Sequence, residues 1–201
     1  MLIGLGNAVL ACVLGTALAL ALSRMRPLFR VPLDALAYMT MVTPEIVFGI
    51  SALIFFVQIG IPLGVETILI SHVVFNASVV MLIVRARFVG MGQRMEEASF
   101  DLGAGPWATF RQVTLPRLAP AILAGGLLAF TFSFDDFITS FFVSGAGTTT
   151  LPLRIFSSLR FGVSPAINAT AAMILGLTLV AIVVAYLVLR RTARERPGVV
   201  V

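Results

Sequence analysis

Three carboxylates stand where carboxylates are costly. Glu45, Asp135 and Asp136 fall inside long apolar stretches of the chain. An ionised acid in hydrocarbon is expensive to keep, so each is a candidate for function. Fixed negative charge along a passage suits a cation. A helix begun at Ala119 reaches Asp135 and Asp136 after about 24 Å, near its far end. Either one of the two faces a translocation path and the other meets polar groups at its rim, or the pair caps and braces a loop. Glu45 follows Thr43-Pro44, a proline site expected to kink the helix. His72 and Asn76 are four apart and so share a helix face, where they could hydrogen-bond to neighbouring helices. One histidine and one cysteine, Cys12, in different apolar runs make a metal cluster an unsuitable reading. They also provide no nucleophile–base set, so no catalytic residue is expected.

A second polar group of residues has a different chemistry. Residues 93–102 place Glu96, Glu97 and Asp101 around Met95, Ala98 and Leu102, which suits a short amphipathic helix. Gly103 and Gly105 are expected to end it, because glycine accepts the positive φ of a helix C-cap. Pro106 then suits the first position of a new helix, running to about Gln112. Trp107 and Phe110, three apart, fall on one face of that helix. Two aromatics on a short polar-flanked helix are costly in water and suit burial in a partner's groove. The other reading is that they pack back on their own helices or lie at headgroup level.

The elements that must hold these residues are apolar. Of 201 residues 59% are hydrophobic, and mean hydropathy is +1.07. A soluble domain of this size cannot hide so much apolar surface, so lipid is the solvent. Five runs, at about 2–22, 34–58, 66–84, 119–140 and 167–189, are each long enough to cross a bilayer as a helix. None shows the period-2 alternation of a barrel strand. The fold class is therefore an all-α integral membrane protein, a polytopic helical bundle with a polar loop at 85–118. All 14 basic residues are arginine. Twelve of them lie at 24–30, 85–117 and 190–196, against Arg154 and Arg160 on the other side. That bias puts the 85–118 loop and the C-terminus in the cytoplasm and Met1 outside. Because these arginines alternate with apolar runs, the net charge of +5 reflects topology and not nucleic-acid binding. With no lysine, the chain cannot build a Walker-type phosphate loop. If ATP drives it, the nucleotide and its Mg²⁺ sit on another polypeptide, and this chain needs no cofactor of its own.

The segment Glu97-Ala98-Ser99, Gly103, Val113 and Leu115-Pro116 resembles the EAA loop of binding-protein-dependent ABC importer permeases. Spacing is kept, with Ser99 in place of alanine and Val113 in place of isoleucine. The likeness extends over 7–191. Thr43-Pro44-Glu45-Ile46-Val47, Val84-Arg85-Ala86-Arg87 and Phe132-Ser133-Phe134-Asp135-Asp136-Phe137 look most like the polyamine branch, the second permease subunit of spermidine/putrescine importers. The resemblance implies a MetI-like fold of six spans. The segment from Asn7 to Arg24 resembles the second of the six, so the first is expected to be absent from this chain. It also implies that the loop docks on an ABC ATPase subunit. Glu97 and Gly103 would shape the loop, with Pro106, Trp107 and Phe110 in or near the contact, and Ala98, Gly105, Leu115 and Pro116 would belong to the same coupling loop. The expected partners are that ATPase, a second permease subunit and a periplasmic substrate-binding protein, in a bacterial inner membrane.

The function expected is thus a non-catalytic permease subunit carrying a small solute, a polyamine such as spermidine or putrescine. The alternative is a secondary transporter driven by an ion gradient. That mechanism calls for inverted repeats, and no repeat is evident.

Overall fold

A computed structural model describes residues 1–92 and 94–159, with separate helical positions between 168 and 179. Most of the expected span at 167–189, and the C-terminal arginines, lie outside these described residues. The chain divides into two units, Met1–Leu153 and Arg154–Val201, and the helical bundle and its polar loop fall in the first. Among the described residues every regular element is helical.

Three helices form the core. They are α1 (Leu2–Arg24), α4 (Val65–Met91) and α7 (Leu115–Asp135), and each packs on the other two. α1 buries Gly4, Asn7, Ala11, Gly15, Ala19 and Leu22, a stripe of mostly small residues spaced three or four apart. Small residues let backbones approach, which is what drives helix association where lipid is as apolar as leucine. One such close approach is at Gly15. A Cβ there would lie 2.7 Å from the Ala77 carbonyl oxygen and 2.7 Å from the Val80 Cβ. Gly125 and Gly126 of α7 serve the same end, as their adjacency suggests. Cβ atoms there would lie 3.3 Å from Val80 and 2.7 Å from the Cys12 sulfur. The outer faces of these helices carry exposed leucines and valines, as lipid-facing or partner-facing surfaces do.

The 34–58 run is not one kinked span. It breaks into α2 (Pro27–Val42) and α3 (Glu45–Gln58), bent by 109°. Pro44 has no N–H to continue the ladder, and it drives Thr43 to an extended ψ of 128°. The Thr43 N–H and hydroxyl both return to the Met39 carbonyl, at 2.9 and 2.7 Å, and close the end of α2. α2 starts earlier than expected, at Pro27, and buries none of its residues. It is tied to α4 by an ion pair between Asp34 and Arg85. α4 continues past the expected limit of 84 to Met91, so Arg85 and Arg87 are on a helix and not in the loop.

The run at 119–140 also breaks, at Asp136 and Phe137, before the short α8 (Ile138–Val143). Its other end is longer than expected. α6 (Pro106–Thr109) passes through a π turn, Phe110–Thr114, into α7 without interruption, giving 30 helical residues. The expected docking helix Pro106–Gln112 is therefore the first two turns of the fourth span's own helix. Among the described residues three helices are long and apolar enough to cross a membrane, or four if α2 and α3 make one broken span.

Candidate functional site

Glu45, Asp135 and Asp136 come from three places and meet at one cavity of about 370 Å³. Glu45 opens α3 just after the Pro44 break. Asp135 ends α7, and Asp136 lies in the break before α8. Each break in the helices thus delivers a carboxylate. Aromatic rings also line the cavity. Phe75 faces Phe48 and Phe132, with ring centroids 6.1 and 6.5 Å apart. Among the described residues no arginine lines the cavity. Clustered carboxylates beside aromatic faces suit an organic cation, by charge and by cation–π attraction.

The two aspartates differ sharply. Asp135 is exposed and turned to the cavity. Asp136 is buried, and its carboxylate accepts the backbone N–H groups of Thr139 (3.3 Å) and Ser140 (2.7 Å), capping α8. It also meets His72 Nε2 at 3.0 Å. His72 Nδ1 lies 2.7 Å from the Ser133 hydroxyl. The histidine thus joins α4 to α7 and to the α8 cap. Asn76, on the same face, reaches the Asn7 side-chain oxygen at 3.4 Å, and Asn7 donates to the Ala129 carbonyl at 2.8 Å. His72 and Asn76 are helix braces, as their spacing suggests. Ser133 and Asn7 complete this network, and nothing local in sequence marks them as partners. Among the described residues no three His, Cys, Asp or Glu side chains are placed to hold a metal ion.

At the other end of the bundle, α5 (Arg94–Asp101) ends in a Schellman motif. The Gly103 N–H donates to Phe100 O at 2.9 Å and the Ala104 N–H to Ser99 O at 3.1 Å. Gly103 has φ +83°, as expected of the cap. Gly105 does not share that role. Its φ of −71° is open to any residue, so the expected pair of breakers reduces to one. Pro106 is the first residue of α6 as expected. Trp107 is 71% exposed, and its ring lies 5.5 Å from that of Phe110. The two form one aromatic platform. Leu115 and Pro116 open α7 on the exposed side.

Glu97 and Ala98 are exposed, and the glutamate that fixes the loop is its neighbour Glu96. Glu96 accepts a hydrogen bond from the Thr114 hydroxyl at 2.6 Å and pairs with Arg24 of α1 at 3.6 Å. Ser99 and Thr109 hydroxyls meet at 3.0 Å. Sequence does not single out Glu96, because its partners are 18 residues ahead and on another helix.

Residues 11–193 match the family of the binding-protein-dependent transport system inner membrane component. The spermidine/putrescine transport system permease protein PotC of Escherichia coli (strain K12) is 38% identical over 192 residues, covering 96% of this chain and 73% of that protein. PotC of Haemophilus influenzae is 39% identical over 184 residues, or 92% and 72% of the two chains. The putrescine transport system permease protein PotI of E. coli (strain K12) is 42% identical over 162 residues, or 78% and 58%. By sequence, by its all-helical bundle and by its polar loop, the chain belongs to the binding-protein-dependent transport system inner membrane component family, the multipass permease subunits of ABC importers.

Proposed function

We propose that this permease subunit carries a polyamine of the spermidine or putrescine type into the cell. The observation that carries the reading is the convergence of Glu45, Asp135 and Asp136 on one cavity with an aromatic wall and, among the described residues, no arginine. An alkyl chain bearing ammonium groups suits both surfaces. Its ammonium hydrogens are donors for the carboxylates, and its methylenes and charge suit the phenylalanine faces. Asp136, committed to His72 and to the α8 cap, shapes the site. Glu45 and Asp135 are the acids left to meet the substrate. The names of the PotC and PotI relatives agree with this class.

ATP is hydrolysed on a separate ABC ATPase with its own Mg²⁺, and this chain is non-catalytic. The ATPase receives Trp107 and Phe110, and Pro106 and Gly103 set the angle at which they are offered. The arginine bias supports a cytoplasmic location for this end and for the C-terminus. A second permease subunit completes the pore, and a periplasmic binding protein delivers substrate at the carboxylate end. The ATPase cycle moves the bundle between two states open to opposite sides.

Uptake of radiolabelled spermidine and putrescine, with Glu45→Gln and Asp135→Asn variants, tests the reading. A charge-assisted hydrogen bond contributes roughly 1.5–3 kcal/mol, so each variant should raise the half-saturating concentration about tenfold or more. Unchanged uptake in both variants would remove the cavity from the path.

A further inference from the structure

A second cavity, of about 190 Å³, lies at the arginine-rich end of the bundle, where α1, α2, α4 and the π turn meet. It is far from the carboxylate cavity. Along α4 the step from His72 to Phe88 is about 24 Å. Its polar lining is Arg30, Arg85, Ser23, Thr114 and the carboxylate of Glu96. The two hydroxyls already donate inside the protein, Ser23 to Ala19 O at 2.7 Å and Thr114 to Glu96 at 2.6 Å. The arginines are the remaining donors. Both nearby acids are engaged, Glu96 by Arg24 and Asp34 by Arg85. Arg30 is held more loosely. Its Nε is buried, has no hydrogen-bond partner and stands 3.8 Å from Asp34. Counting Arg24, Arg30 and Arg85 against Asp34 and Glu96, three positive charges face two negative ones, and one positive charge with an unused donor remains.

We propose that this cavity binds the phosphate of an anionic phospholipid, with Arg30 as its principal contact and Arg85 as the second. A guanidinium with an idle N–H is the usual donor to phosphate oxygens, and basic pockets between helices at the cytoplasmic face suit such headgroups. Inorganic phosphate has the same chemistry. The lipid is favoured because, apart from Glu96, which Arg24 and Thr114 engage, the rest of the lining is mostly apolar, with Phe88, Met91, Met95 and Val113, and Val89 is 69% exposed at the rim. Acyl chains can run from there along the apolar helices. A soluble anion gains nothing from that wall. The site is independent of what the carboxylate cavity carries.

The test uses the full chain in bilayer discs of equimolar phosphatidylcholine and phosphatidylglycerol. Lipids retained after mild detergent extraction are counted by native mass spectrometry. The unaltered chain should retain phosphatidylglycerol in preference to phosphatidylcholine. Arg30→Gln should lower that preference about tenfold, the loss of one charge-assisted bond. Arg26→Gln removes the same charge from an exposed residue outside the cavity and should change little. Val89→Asp places an acid at the exposed rim without disturbing the core and should also weaken retention. It keeps the test decisive if Arg30→Gln folds poorly. The proposal is overturned if the unaltered chain shows no preference, or if Arg26→Gln costs as much as Arg30→Gln. Displacement of the lipid by excess inorganic phosphate would assign the site to the soluble anion instead. Loss of partner-ATPase binding with lipid retention intact would assign Arg30 to a protein contact.

Discussion

Asp135 and Asp136 are adjacent in sequence and opposite in circumstance. Asp136 is buried, caps α8 through two backbone N–H groups and holds His72. Removing its carboxylate leaves those donors unpaired away from water, at about 1–3 kcal/mol. Asp136→Ala should therefore lower the thermal midpoint of the detergent-solubilised protein by several degrees. Asp135→Asn should leave that midpoint in place and change only uptake. A scanning fluorimetry series on both variants separates the two roles, and equal destabilisation would contradict them. Sequence shows that both acids are costly and lie near a helix end. It does not show which one faces the cavity, because that depends on where α7 stops and on His72 and Ser133, which lie 64 and 3 residues away from Asp136. Glu45 stands out in sequence as an acid after a Thr-Pro break in an apolar run, and its place in the first turn of α3 also suits the positive end of that helix.

At the scale of elements, glycine and proline positions carry most of what is readable. Gly103, Pro106 and Pro44 act where their chemistry says they should, at a C-cap, a helix start and a break. Gly105 does not, since a Gly-x-Gly pair looks alike whether one or both residues need positive φ. The two glycines should therefore respond differently. Gly103→Ala should cost about 1 kcal/mol and loosen the loop, whereas Gly105→Ala should be close to neutral. Thermal midpoints and proteolysis of the loop report the difference. Gly15→Val is a harsher case. A Cβ there already meets Ala77 O and Val80 at 2.7 Å, so the variant should lose about 1–3 kcal/mol or more and express poorly. Normal expression and stability would contradict the close packing of α1 on α4. The severity of the break between α2 and α3 is not legible. A proline predicts a kink, and only the packing around it turns a kink into a 109° bend.

Over the whole molecule, the proposed docking platform and the proposed cation cavity are joined by one rod. Pro106 to Asp135 is a continuous 30-residue helix, about 45 Å long, with the aromatic platform at one end and a cavity carboxylate at the other. The Glu96 bonds to Thr114 and Arg24 tie the loop to the same rod and to α1. A push at Trp107 therefore reaches Asp135 through backbone, not through a flexible linker. Trp107→Ala should weaken copurification of the partner ATPase by tenfold or more, as truncation of a central aromatic anchor does, and leave the fold intact. If ATP hydrolysed on a partner moves an organic cation past Glu45 and Asp135, the chemistry at both ends of the rod must be needed together. The most direct measurement is spermidine uptake into proteoliposomes holding the complete importer, comparing the unaltered chain with a Glu45→Gln, Asp135→Asn double variant. Uptake should require ATP and fall at least tenfold in the double variant, with the assembled complex and its ATPase activity retained. Uptake that is equal in both, or that proceeds on an ion gradient without ATP, would contradict this mechanism.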